Sequence, residues 1–297
     1  MLRGLFSLFK KHPIKCVLLT VWIGLLCFNF TLAVIIDYVG FTILGVIGAI
    51  FANATGAGGG VVFVPFFNQL SLSSETIVAT SFAIQCCGMT AGAITWYWHY
   101  RNLPDNKEWS PLPKALLYIV PSSIVGILIA QYALGDYTSL VQDQLHVYFG
   151  IFSIVLAIAI YLSIPLMKRE AIQVSIQKLD ILALILTAIL GGVITAWLSV
   201  GVGELVAVYL ILRGFNVTFA IALAVMVSAF SVQAAIFYHI LISNAVYWQI
   251  VAFAGAGAII GGMLAKYVVL YFSPAKLKVF FASWVLVMGI AGLPLFS

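Results

Sequence analysis

Nine apolar runs occupy most of this chain, and their length decides what it can fold into. The first covers Cys16–Ile36; the rest are Val39–Leu70, Ile77–Trp98, Ala115–Leu134, His146–Leu166, Leu179–Leu212, Thr218–Leu241, Val246–Phe272 and Val279–Phe296. A helix needs about 20 mostly apolar residues to cross the hydrocarbon core of a bilayer. Backbone in lipid must satisfy its own hydrogen bonds, so only helices and closed barrels span. Barrel strands alternate apolar and polar residues over about ten positions, and these runs do not alternate. The chain therefore reads as an all-α polytopic membrane protein, with the lipid bilayer as its first partner. Charged residues make up 8% of its 297 residues, against about 25% in soluble domains. The net charge of +5 does not point to nucleic acid, because the basic residues sit in short loops between apolar runs.

Two runs, Val39–Leu70 and Leu179–Leu212, are too long for one crossing, and glycines interrupt both. In the first, Gly56, Gly58, Gly59 and Gly60 fall within five positions, after Asn53 and Thr55 and before Pro65. Each glycine weakens a helix by about 1 kcal/mol relative to alanine, so the cluster predicts unwound backbone. At membrane depth such backbone needs protein, water or a ligand as partner. A helix resuming over Val61–Leu70 would turn free N–H groups and a positive dipole end toward the glycines, a ready site for a small anionic substrate. Close helix packing explains Gly88, Gly92, Gly255, Gly257, Gly261 and Gly262, at about one small residue per turn. It does not explain four glycines in five. Gly59→Val is accordingly expected to block anion binding while folding survives, and Gly92→Ala to do much less. In the second long run the break is Gly201, Val202, Gly203 and Glu204.

The runs fall into two matching halves, residues 39–170 and 171–297, after a tail and an extra helix over residues 1–38. Each half is a broken run followed by three ordinary ones. Gly58 and Gly201 lie 143 residues apart, and the next runs end in Trp96-Tyr97-Trp98-His99 and Phe237-Tyr238-His239. Interrupted segments at corresponding positions of two halves mark the binding site of many transporters. If every run crossed once, Arg101, Lys107, Lys114, Lys168, Arg169 and Lys178 would lie outside. If both broken runs are re-entrant, all 14 Lys and Arg fall inside, and Asp37, Glu75, Asp136 and Asp143 fall outside. The bias of basic residues toward the cytoplasm selects the second arrangement. Three crossings per half then invert the second repeat relative to the first. The expectation is two inverted repeats, each a broken, re-entrant glycine-rich segment plus three transmembrane helices, with the N-terminus cytoplasmic. Arg3, Lys10, Lys11 and Lys15 precede an apolar run long enough to span, so the first helix is read as uncleaved.

Glu204 is the informative acid, because it follows the second break inside an apolar run. An intramembrane carboxyl points to function by default, and here to binding a coupling proton or sodium ion. A capping role at the helix resuming at Leu205 is the compatible alternative. His99 and His239 are read as interfacial beside aromatic belts, and Arg213 as a cytoplasmic anchor. Thr80, Ser81, Gln85, Ser228, Ser231 and Gln233 follow the breaks and line a polar path or bond between helices. Cys16, Cys27, Cys86 and Cys87 have no metal or disulfide spacing and are read as small buried hydrophobes. No Walker, Rossmann or zinc-protease motif is present, and no cofactor or enzymatic acid/base set is expected.

The stretch Gly56-Ala57-Gly58-Gly59-Gly60-Val61-Val62-Phe63-Val64-Pro65, followed by Ala79-Thr80-Ser81, resembles the signature of the sulfite exporter TauE/SafE family of membrane transporters. The likeness covers about residues 39–296. The second-half motif departs from it: Ser199 and Val202 replace glycines, and Val208 stands where proline would be. The resemblance implies transport of small sulfur anions, such as sulfite or organosulfonates, across the cell membrane. The expected substrate contacts are Asn53, Thr55, Gly56, Gly58, Gly59, Gly60, Gly201 and Gly203 from the breaks, with Thr80 and Ser81 added by the family motif, and Glu204 coupling an ion. With no ATP-binding motif the transport is expected to be gradient-driven, with an anion channel of the same architecture as the alternative.

Overall fold

The computed structural model describes residues 21–22, 24–103, 107–134, 140, 144–165, 175–291 and 293. Among them every regular element is helical: α1 (Leu32–Tyr38), α2 (Gly40–Thr55), α3 (Gly60–Asn68), α4 (Ser74–Arg101), α5 (Leu112–Leu128), α6 (Leu145–Ser163), α7 (Lys178–Leu198), α8 (Val202–Leu212), α9 (Val217–Leu241), α10 (Trp248–Tyr271) and α11 (Pro274–Ala291). Seven helical stretches among the described residues are long and apolar enough to cross a bilayer. Arg3, Lys10, Lys11, Lys15, Cys16, Asp136, Asp143, Lys168 and Arg169 lie outside the described residues.

Of the first helix expected over Cys16–Ile36, residues 16–20 and 23 lie outside them too. Its described part breaks at Phe30 and Thr31, and α1 then runs almost directly into α2. Val39 keeps helical dihedrals, and its N–H donates to Ile35 O at 2.9 Å. The sequence reading placed a boundary there; Gly40 alone, at about 1 kcal/mol, is too weak a stop for a long apolar helix.

The breaks themselves fall at the glycines. Gly56 ends α2 in the left-handed region at φ 78°, its N–H returning to Ala52 O at 3.1 Å. Ser199 ends α7 at φ 61°, a conformation that costs a non-glycine residue about 1–2 kcal/mol. α3 then starts one residue before, and stops two residues before, the predicted Val61–Leu70 helix.

Both broken runs fold back on themselves. The Phe41 ring, in the first turn of α2, lies 6.1 Å from Phe66 and 6.3 Å from Phe67 at the end of α3. In the second run Asp180, at the start of α7, accepts from Tyr209 Oη at 2.9 Å and from Arg213 Nε at 2.6 Å, at and just past the end of α8. Arg213 is thus more than a loop anchor: it ties the base of the second hairpin.

Glycines let helix backbones touch where the hairpins dock. A carbon added at Gly257 would strike Thr42 O, one at Gly261 Val46 O, and one at Gly262 Gly88 O, so α10 lies directly on α2 and α4. Likewise Gly126 of α5 meets Ile189 O of α7, and Gly192 of α7 meets Ser123 O of α5. α4 and α9 form the central pair and run antiparallel. Phe82 stacks on His239 at 5.3 Å, while Cys86 Sγ donates to Val232 O at 3.4 Å and Gln233 Nε2 to Thr90 Oγ1 at 3.0 Å. α6 and α11 are antiparallel as well, with Gly150 against Gly289 O and Tyr161 Oη 2.7 Å from Ser283 Oγ. Around this centre the outward faces expose Leu162, Leu186, Leu190 and Leu264, a surface suited to lipid rather than water.

Two of these contacts give a stability test. Gly257→Leu drives a side chain into the α2 backbone and should cost about 1–3 kcal/mol. Gly40 has nothing within 4 Å of an added carbon, so Gly40→Ala should leave stability unchanged or raise it by up to about 1 kcal/mol. Thermal unfolding in detergent, followed by tryptophan fluorescence, measures both.

Candidate functional site

The two hairpin tips meet. A carbon at Gly60, the first residue of α3, would strike Ser199 O in the second tip, and one at Gly203 would strike Gly56 O in the first. The helices α3 and α8 therefore begin side by side in the interior, each with unpaired N–H groups in its first turn.

Glu204 satisfies both. It is the third residue of α8, and its Oε2 accepts from the N–H of Gly201, the residue before that helix, at 2.8 Å. Its Oε1 crosses to the other tip and accepts from the Gly58 N–H at 2.7 Å. The capping role expected of Glu204 is present, with α8 starting at Val202 rather than Leu205. The carboxylate is buried, with the residue 3% exposed. Such burial costs several kcal/mol, and hydrogen bonds to a charged group return about 1.5–3 kcal/mol each.

Gln85 of α4 completes the junction. Its Oε1 accepts from the Gly59 N–H at 2.8 Å. Its Nε2 donates to Ser199 Oγ at 2.8 Å, Ser199 O at 3.1 Å and Ser81 Oγ at 3.1 Å. Ser199 Oγ also donates to Ser81 Oγ at 2.9 Å. Thr195, one turn before Ser199, accepts the Val202 N–H at 2.8 Å. Two crevices too narrow to admit a water molecule adjoin Gln85. The first is lined by Gly58, Thr195, Gly201, Gly203, Glu204 and Ser228 among others. The Ser228 hydroxyl, on a residue 2% exposed, has no partner there.

Of the residues read from the sequence, Gly58, Gly59, Gly60, Ser81, Gly201, Gly203 and Glu204 come together at this junction. Gly56 shapes the first tip, and Thr55 steadies it by accepting the Ala57 N–H at 3.3 Å. Asn53 turns elsewhere: its Nδ2 donates to Ala49 O at 2.8 Å and Gly88 O at 3.3 Å, and its buried Oδ1 has no partner. Thr80 also faces away, accepting the Tyr247 N–H at 3.0 Å where α10 begins. His99 is half-buried beside Trp96 and Trp109, while His239 is buried on Phe82. Cys27 is exposed, not buried.

The first-tip N–H groups thus carry protein partners where the sequence reading left them open for substrate. Two substitution expectations change with this. A carbon at Gly59 lies 2.8 Å from both Gln85 Cγ and the Phe63 ring, so Gly59→Val strains the fold itself. A carbon at Gly92 would strike Asn53 Oδ1, so Gly92→Ala is no mild control. The sequence reading gave Gln85 only as one of several polar residues lining a path or bonding between helices, and Ser199 only as a replacement for a motif glycine. Gln85 follows Ser81 by four positions on one helical face, a spacing that could have paired them.

Gln85→Leu removes the acceptor for Gly59 and the donors to Ser199. Unpaired buried groups cost about 1–3 kcal/mol each, so the variant should unfold several degrees lower than the wild type in a detergent melt. Thr90→Ala, which loses only the contact to Gln233, should melt nearly as the wild type does.

No curated protein and no solved structure matches the chain. The family model described as Sulfite exporter TauE/SafE matches residues 41–292, from the first turn of α2 past the end of α11. The chain thus belongs to the sulfite exporter TauE/SafE family of membrane transporters.

Proposed function

We propose that this protein is a secondary transporter that moves small anions, sulfite or organosulfonates, across the cell membrane at the expense of an ion gradient. The observation that carries this reading is the convergence of two interior helix N-termini on one carboxylate. Helix N-termini at membrane depth attract anions without a lysine or arginine in the bilayer. Binding then falls to the N–H groups of Gly58, Gly59 and Gly201, with Gly56, Gly60 and Gly203 permitting the close approach. Thr55 and Ser81 support the tips from behind, Asn53 and Thr80 anchor their helices to α4 and the start of α10 instead, and Glu204 takes the coupling ion. The direct hydrogen bond from the Gly58 N–H to Glu204 favours a carrier over a channel, since it holds the two tips together.

The same reading assigns α2–α6 and α7–α11 to two inverted repeats, residues 39–170 and 171–297, with the hairpins entering from opposite faces. The antiparallel packing of α4 on α9 and of α6 on α11 supports inversion, since a two-fold axis in the membrane plane relates antiparallel partners. The N-terminus, Arg101, Lys107, Lys114, Lys178, Arg213, Lys266 and Lys276 are then cytoplasmic.

Transport is tested in proteoliposomes loaded with sulfite, sulfonates or carboxylates, under imposed proton and sodium gradients. Uphill flux of a sulfur anion tied to one gradient is the expected result. Flux only down the anion gradient, at channel-like rates, would favour the pore. Single cysteines in the loops around Lys107 and Lys178 should react with impermeant reagents only from the cytoplasmic face. Labelling of either from outside in intact cells contradicts the inverted, re-entrant arrangement.

A further inference from the structure

We infer that Glu204 occupies the place of the transported anion in this closed arrangement, so that an anion binds only as Glu204 takes up a proton. The inference rests on the hairpin tips being the anion site. It goes beyond that reading by naming the proton, and not sodium, as the coupled ion, and by fixing the sign of the coupling.

Three observations lead there. The carboxylate is bound as a substrate anion would be, one oxygen on each helix N-terminus: Oε1 on Gly58 N–H at 2.7 Å and Oε2 on Gly201 N–H at 2.8 Å. These donors belong to different halves of the chain, so the same carboxylate that fills the site also holds the two tips together. The Ser228 hydroxyl lines the same crevice, on a residue 2% exposed, and has no partner. It is a donor that the closed arrangement leaves unused and that an incoming oxyanion can take.

A second anion cannot simply join the first. Two like charges about 4 Å apart repel by about 4 kcal/mol even at an effective dielectric constant of 20, and the Gly58 N–H is already taken. Protonation removes the charge from Glu204 and weakens its claim on both N–H groups. An oxyanion then replaces a carboxylate at the same donors, and the net charge of the junction stays constant. Sodium does not fit the exchange. A hard cation collects oxygen ligands, and at the Glu204 oxygens it would sit against the positive ends of the Gly58 and Gly201 N–H bonds. No other described residue lining the crevice carries a titratable side chain; the neighbours are Gln85 on α4, Thr195 and Ser199 from α7 and its cap, and Ser228 and Val232 on α9. Next to Gln85, Cys86 donates its thiol to Val232 O at 3.4 Å. The proton therefore goes to Glu204.

Calorimetry on the full chain in detergent tests this, with methanesulfonate as the probe because its own charge does not change across the range used. Titrations run across roughly pH 5–8, in pairs of buffers with different ionisation heats, count protons directly. The wild type should bind more tightly as pH falls, by up to about tenfold per unit, with one proton taken up per anion. Glu204→Gln should bind with the same affinity at every pH and take up none. Wild-type binding that is independent of pH, with no proton uptake, overturns the inference and leaves the hairpin tips as the anion site. Absence of binding to both proteins at every pH overturns the tip site itself, and the inference with it. If Glu204→Gln does not fold, the wild-type proton count decides alone.

Discussion

One buried carboxylate shared by two helix N-termini holds the centre of this protein in place. Breaking a helix inside a membrane releases N–H groups that lipid cannot satisfy. Here two such breaks are set tip to tip, and Glu204 and Gln85 satisfy the donors of both. Each partner alone would be costly: a carboxylate in an apolar interior, or an unwound helix end without acceptors. Together they cancel much of that cost. The junction is therefore stable only when assembled from both halves of the chain, which makes the tips a single cooperative element.

The packing around the junction follows the same exchange. α2 lies on α10, and α7 lies on α5. Each hairpin is thus held by a helix that is not its neighbour in sequence. Backbone contact at Gly257, Gly261, Gly126 and Gly192 makes these pairings tight and leaves little room to slide. Motion is then concentrated where the contacts are hydrogen bonds between side chains and N–H groups, at the tips.

Much of this was legible in the sequence, because membrane depth makes glycine and charge informative. Four glycines in five positions could only be a break, and the first tip lies there. A lone glutamate in an apolar run had to meet donors, and it does. The fold-back of each run was suggested by its excess length and glycine break together with the distribution of Lys and Arg. What stayed hidden were contacts set by tertiary approach. Asn53 and Thr80 read as tip residues from their place in the chain, but rotate toward α4 and α10. The end of α7 lacks a glycine, so Ser199 gave no sign that it would adopt the left-handed turn and become a partner of Gln85. His239 matches His99 by position in the chain, yet only the packing of α4 on α9 shows that it is buried.

The ion pair between Asp180 and Arg213 has a mechanical consequence. It clamps the start of α7 to the end of α8, so the second hairpin is a lever with a fixed foot and a head held at the junction by hydrogen bonds. α8 is 11 residues long, about 16 Å at 1.5 Å per residue. A tilt of about 10° around the foot carries the head about 3 Å, the span of one hydrogen bond. A lever of that length needs no refolding to part the tips: a tilt of that size lifts Glu204 away from Gly58.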